Sequence, residues 1–202
     1  MSSGISGRAR LALAAGLLVC VGFPWDLRPQ SASTPPRTYD DYLSALGARE
    51  SNNNYASRNQ FGYLGRFQFG EMALTDCRLY QGDTTPNTND WIGPWTRESQ
   101  ARGVNSAADF LAGHAFQDFA ILRFHELQWA SVVRLDLVQY DGTTMGGVHI
   151  TKSGMLGGAH LVGPGALRQF LASNGRIVPR DGNGVPITDY ISQFAYYDVP
   201  FH

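Results

Sequence analysis

The stretch from residue 107 to about 133 sets the terms for the fold. Phe110, Leu111, Phe116, Phe119, Ala120, Leu122, Phe124, Leu127 and Trp129 recur at helical spacing. Apolar residues fall nearly all round the middle of the run, the pattern of a helix buried among others. Ser106, with Asp109 three positions on, provides a capping-box-like start. Gly113 and the length of the run predict a break into two helices. His114 and His125 lie on it, but no second ligand sits at matched spacing, so both read as ordinary helix histidines rather than metal ligands.

Shorter helical segments flank this one. Thr38 opens a helix, with Asp41 in a capping-box position and Tyr39, Tyr42, Leu43 and Leu46 on one face. Residues 71–79 predict a second helix. A third begins at Thr151 or Ser153, is ended by Gly163-Pro164-Gly165, and restarts with Pro164 in the first turn of a helix that stops at Asn174-Gly175. Thr188 is expected to cap a last short helix, and the aromatic tail 196–201 to pack back onto the body. Residues 81–105 read as a long polar loop, in which Trp91 and Trp95 are either sugar-stacking platforms or loop anchors. The Asp and Asn residues at 83–90 lack the glycine and final glutamate of an EF-hand loop and read as a solvated turn. The expected fold class is therefore mainly α, with irregular loops and little or no sheet.

The 202 residues fit one domain, preceded by a segment of different character. Residues 1–33 read as a signal peptide and linker: Arg8 and Arg10 form the positive end, Leu11 to Phe23 is an apolar run of 13, and Ser31-Ala32-Ser33 offers small residues for cleavage. That run is too short to span a bilayer comfortably, although an uncleaved anchor is the alternative. Residues 34–202 are then the functional domain, secreted or periplasmic and without an integral membrane segment once the signal is removed. Cleavage near Ala32 would remove Cys20 and leave Cys77 alone, to pack as a small buried hydrophobe. With 16 basic and 17 acidic residues the net charge is −1. No basic stripe argues for nucleic acid, and a monomer is expected.

Chemistry concentrates in residues 49–70. Glu50 is the only acid between Asp41 and Glu71. It sits where the first helix should end, and the carbonyl end of a helix dipole disfavours negative charge. A glycine-punctuated aromatic segment follows, with Gly62, Gly65 and Gln68 among Tyr63, Leu64, Phe67 and Phe69. If these surfaces close over Glu50, desolvation raises its pKa and suits it to general acid work. The alternative is a solvated glutamate in a last helical turn.

Glu50-Ser51, followed by Gly62, Gly65 and Gln68, resembles the first two motifs of the soluble lytic transglycosylases, a lysozyme-like family, whose pattern is E-S and then G-x-x-G-L-M-Q. Arg66-Phe67 replaces the usual Leu-Met. The segment Ala159-His160-Leu161-Val162-Gly163-Pro164-Gly165-Ala166-Leu167 is similar to the family's third motif, A-Y-N-A-G-P-G-A-V, with His160 at the tyrosine and Leu161 at the asparagine. The resemblance implies a lysozyme-like domain that cleaves peptidoglycan glycan strands between N-acetylmuramic acid and N-acetylglucosamine. It implies Glu50 as the single acid/base, Gln68 and His160 in contact with substrate or acid, and Ser51 steadying the carboxylate or the helix end. No cofactor and no metal is implied. A charged His160 would work against the acid by lowering its pKa, and an acid limb near the unperturbed histidine value of about 6.5 would follow.

Two other classes stay open. One is a hydrolytic muramidase or chitinase-type glycosidase in which Glu71, Asp76, Asp83 or Asp90 places a water. The other is a wall-binding protein that kept the fold and lost the reaction, as the substituted third motif would allow.

Overall fold

A computed structural model describes residues 37–82, 85 and 88–202, all within the unit Pro35–His202. The expected signal and linker at 1–33, and Asp83, lie outside the described residues. The described chain is mainly helical: α1 (Tyr39–Ser51), α2 (Glu71–Asp76), α3 (Arg97–Ala101), α4 (Ala107–Ala112), α5 (His114–Arg134), α6 (Lys152–Ala172) and α7 (Ile187–Gln193). The sheet is one antiparallel hairpin, β1 (Thr144–Met145) on β2 (Val148–His149).

Local chemistry explains most boundaries. Thr38 accepts from the Asp41 backbone N–H while Asp41 accepts from that of Thr38, a complete capping box. Ser106 caps α4 through the Asp109 N–H, and Gly113 separates α4 from α5. Thr151, not Ser153, caps α6; the Ser153 hydroxyl is buried and accepts from the Tyr197 N–H at 3.1 Å. Gly163 breaks α6 with φ of 79°, a conformation that a glycine reaches without steric cost, and Pro164 opens the second half.

Three expectations need correction. The second helix stops at Asp76 rather than Leu79, because Arg78 turns left-handed at φ 57°. The 81–105 loop contains the five-residue α3, capped by Thr96, which is too short to show a hydrophobic period. Thr188 lies inside α7 instead of capping it: Pro186 is the cap residue, and the Ile187 N–H is satisfied by the Pro179 carbonyl.

One core runs through the domain. Tyr42 and Leu46 of α1 are fully buried, and the Tyr42 ring meets Phe194 at 5.0 Å and Tyr197 at 5.4 Å. Tyr197, Val199 and Phe201 return the tail to the core as expected. At the other end Trp91 and Trp95 are buried and stacked on each other at 5.8 Å, with Phe110 beneath. They anchor the loop and are no sugar platforms. Cys77 is a free, buried thiol, pushed up to about 12 by that burial.

The most extensive helix contact joins α6 to α7. Gly154, Gly157 and Gly158 present a face without side chains, on which Ile187, Ile191 and Phe194 lie. A Cβ on Gly157 would meet Phe194 Cβ at 2.9 Å, so α7 would have to move. Gly157→Val should therefore cost about 1–3 kcal/mol, the usual range for overpacking. Urea unfolding of the variant, compared with the parent, measures it.

Candidate active site

The first helix delivers Glu50 to its last turn, and two αL asparagines, Asn52 (φ 56°) and Asn53 (φ 59°), end it. The chain then folds back. The Ser51 hydroxyl donates to the Arg66 carbonyl at 2.8 Å, and Arg66 Nε donates to Asn53 Oδ1 at 2.9 Å. Leu64 and Phe69 exchange backbone hydrogen bonds of 2.9 and 2.8 Å around a turn that holds Gly65 (φ 79°) and Gln68 (φ 49°). A Cβ on Gly65 would collide with the amide of Gln117, a fully buried side chain. That amide accepts from the Arg66 N–H and donates to the Tyr55 and Phe110 carbonyls, at 2.8, 3.0 and 2.9 Å. Gly62 (φ 80°) abuts the Asn89 backbone, and Trp91 Nε1 donates to its carbonyl at 2.7 Å.

These elements wall a cleft of about 1270 Å³. Glu50, Gln68 and His160 all line it; Ser51 does not, its hydroxyl being committed to the backbone. Gln68 Nε2 donates to the Gly65 carbonyl at 2.9 Å, which fixes the side chain in the cleft wall. Phe61 and Tyr63 line the same cleft with 53% and 39% of their surface exposed, and are the flat rings open to a ligand. A smaller cavity of about 280 Å³ shares Gln68 and His160 with the cleft and is also lined by Phe67, Phe69 and Phe124.

The Glu50 side chain is 17% exposed. Burial raises its pKa above the ordinary carboxylate value, and Asp181 adds to that; a hydrogen bond from Tyr190 and the charge of Arg49 pull the other way. The Tyr190 hydroxyl donates to Glu50 Oε1 at 2.6 Å. Arg49 turns away, with its guanidinium 4.2 Å over the Tyr190 ring and donating to Gln193. His160 Nε2 lies 3.9 Å from Glu50 Oε1. Burial lowers the His160 pKa to about 4, so the ring is neutral at ordinary pH. An acid limb near 6.5 from this residue is not expected: the wall that brings it to Glu50 also keeps it uncharged.

The other carboxylates sort by position. Glu71 is buried and accepts from the Trp91 N–H, turned into the core rather than toward the cleft, so it is not placed to hold a water there. Asp76 is outside the cleft; Asp90 lines it. Asp181 also lines it, its Oδ1 accepting from the Asn183 and Val185 N–H groups at 3.0 and 2.7 Å. Tyr190, Asp181, Phe61 and Tyr63 were not recognisable as site residues in the sequence. His125 was read as an ordinary histidine, yet it is fully buried, with Nε2 at 3.3 Å from His160 Nδ1. No group of metal-ligating side chains occurs among the described residues, and none of their helices is long and apolar enough to cross a membrane.

Comparison with family models, curated proteins and solved structures returns no match to this chain. The meaning of the cleft therefore rests on its own geometry.

A carboxyl with a raised pKa weakens the fold when it ionises. Between the unfolded glutamate value of about 4.3 and its raised value, the folded state binds more protons than the unfolded chain, so stability falls as pH rises through that window. Glu50→Gln should thus raise the melting temperature at pH 7, with the gain disappearing below pH ~4. Thermal unfolding of both proteins from pH 3 to 8 checks it.

Proposed function

We propose that this protein is a lytic transglycosylase that cleaves the β-1,4 bond between N-acetylmuramic acid and N-acetylglucosamine in peptidoglycan. The proposal places a lysozyme-like catalytic domain in residues 34–202, acting outside the cytoplasm on the wall's glycan strands. What supports it is the Glu50 carboxyl: desolvated, raised in pKa, and held by Tyr190 in the wall of a cleft of about 1270 Å³.

The chemistry follows from that carboxyl. Protonated Glu50 gives its proton to the glycosidic oxygen as the C1–O4 bond breaks, and the sugar's own acetamido oxygen closes on C1 to hold the developing positive charge. Glu50, now ionised, takes the proton of the 6-hydroxyl as that oxygen attacks C1 and expels the acetamido oxygen. The product is a 1,6-anhydro ring, and the glutamate ends the cycle as it began, protonated. No second carboxylate is required, unlike most glycosidases. A phenol hydrogen bond on Oε1 stabilises the ionised form halfway through the cycle, while burial favours the protonated form at its start. Gln68 is in position to bind the sugar beside Glu50, and Ser51 acts by tying the helix end to the aromatic turn.

A second reading, a hydrolytic glycosidase, has a specific observation in its favour: Asp181 and Asp90 share the cleft with Glu50. Product analysis separates the readings. Mass spectrometry of digested peptidoglycan should show anhydro ends and their loss, by about a hundredfold or more, in Glu50→Gln. Reducing ends that depend on Asp181 or Asp90 would establish hydrolysis, and glycan binding without products would establish a wall-binding protein.

The exposed rings make a separate claim. Phe61→Ala with Tyr63→Ala should weaken glycan binding about tenfold, since both substitutions remove apolar surface that a sugar's C–H face would cover. The kcat at saturation should change little. Binding isotherms with the inactive Glu50→Gln protein give the affinity free of turnover.

A further inference from the structure

A file of polar groups runs behind Glu50 through the core. The Tyr39 hydroxyl is 2.8 Å from His125 Nδ1. His125 Nε2 is 3.3 Å from His160 Nδ1. His160 Nε2 is 3.9 Å from Glu50 Oε1. The file starts in the first turn of α1, crosses α5 and α6, and returns to the last turn of α1, about 16 Å further along the helix axis. His125 is fully buried and uses both ring nitrogens. Rings of Phe124, Tyr42 and Phe201 enclose the two imidazoles.

We propose that Tyr39 and His125 are positioning residues that fix His160 as the Nε2–H tautomer, so that His160 presents an N–H to Glu50 Oε1 and leaves Oε2 to carry the reacting proton. The inference rests on reading Glu50 as the acid. A neutral imidazole has one donor and one acceptor nitrogen, so the file has only two proton arrangements. In the first, the Tyr39 O–H donates to His125, His125 Nε2–H donates to His160, and His160 Nε2–H points at Glu50. In the second, every donor is reversed and a lone pair of His160 faces a carboxyl oxygen.

Tyr190 decides between them. Its O–H already donates to Oε1, which marks that oxygen as the acceptor of the pair. A facing lone pair would repel it, whereas an N–H facing it adds to the phenol's donation. The first arrangement fits both states of Glu50, ionised or protonated on Oε2, and so survives the whole catalytic cycle. Both imidazoles stay neutral within their apolar walls, since burial lowers each pKa. The charged and titratable groups around the file are Asp40, Arg49 and Tyr42 on α1, Glu126 on α5, Tyr190 on α7 and Asp181. None of them lies between the imidazoles and Oε1 in the contacts above. The N–H of a neutral ring thus steadies the ionised carboxylate without the cation that would hold it ionised throughout.

Nitrogen-15 NMR of the histidine rings tests this without any substrate. At pH 7 His125 and His160 should both carry the proton on Nε2 and none on Nδ1. Tyr39→Phe removes the first donor, keeps the ring, and should leave both histidines as tautomer mixtures. It should also shift the Glu50 ionisation midpoint, read from its side-chain carbon, further upward, because a donor to the ionised form is weakened. His125→Phe should do the same for His160 and Glu50. On glycan, both variants should lose about tenfold in kcat, a fraction of what the acid itself contributes, with KM within about twofold. An Nδ1–H tautomer of His160 in the parent protein overturns the proposal. So does a His160 tautomer and Glu50 midpoint unmoved in Tyr39→Phe. If the tautomers and midpoints behave as stated but no glycan is cleaved by the parent, the positioning file stands and the transglycosylase reading falls.

Discussion

The surroundings of Glu50 depend on how closely α7 approaches α6. That approach is a matter of missing atoms: Gly154, Gly157 and Gly158 leave no side chain between the helices, and a Cβ at Gly154 would meet the Ile191 carbonyl at 2.7 Å. Two residues beyond Gly158, α6 presents His160; midway along its seven residues, α7 presents Tyr190. Both side chains meet the same oxygen of a glutamate on α1. The buried Ser153 hydroxyl fastens the returning tail to the same helix. The carboxyl on α1 therefore meets side chains from two helices held together by one close interface, and its hydrogen-bond geometry follows from that packing.

The electrostatic outcome is unusual for a glutamate with arginine as its neighbour in sequence. Arg49 lies over the Tyr190 ring and bonds Gln193 instead of closing a salt bridge on Glu50. The nearest basic ring, His160, is neutral because it is buried. With no cation in direct contact, burial outweighs the phenol hydrogen bond and the pKa stays raised.

How much of this was legible in the sequence depended on whether the signal was local. Thr38 with Asp41, Ser106 with Asp109, Gly113 and Asn174-Gly175 act within one turn of chain, and each does in the structure what its type and spacing dictate. Glu50, Gln68 and His160 could be picked out as candidates because they fall in short motifs, and they do meet in one cleft. Tyr190 could not. On α7 it has the spacing of a core residue, and only the approach of α7 to α1 gives its hydroxyl a partner. His125 was hidden for the same reason, one polar residue on an apolar helix whose partners come from positions 39 and 160. The tryptophans were ambiguous because stacking on a sugar and stacking in a core call for the same ring; Trp91 and Trp95 stack on each other.

The setting of the cleft's carboxylates bears on the choice between the proposed transglycosylase and a hydrolase. Asp181 raises the Glu50 pKa through space, so it is close enough to matter electrostatically. Its oxygens, however, are spent on its own turn: Oδ1 takes two backbone N–H groups and Oδ2 faces the Asn183 amide at 3.4 Å. Asp90 is engaged likewise, by the Thr88 hydroxyl and the Ile92 N–H. A general base must reach a water beside the substrate, and both carboxylates point their oxygens at neighbours in their own loops. In both acids the hydrogen bonds build the loop that carries them. Glu50 differs from them, since its one hydrogen bond comes from a phenol on another helix and none from its own turn. That contrast supports the proposed mechanism, in which one carboxyl both gives and takes the proton and the second nucleophile comes from the substrate.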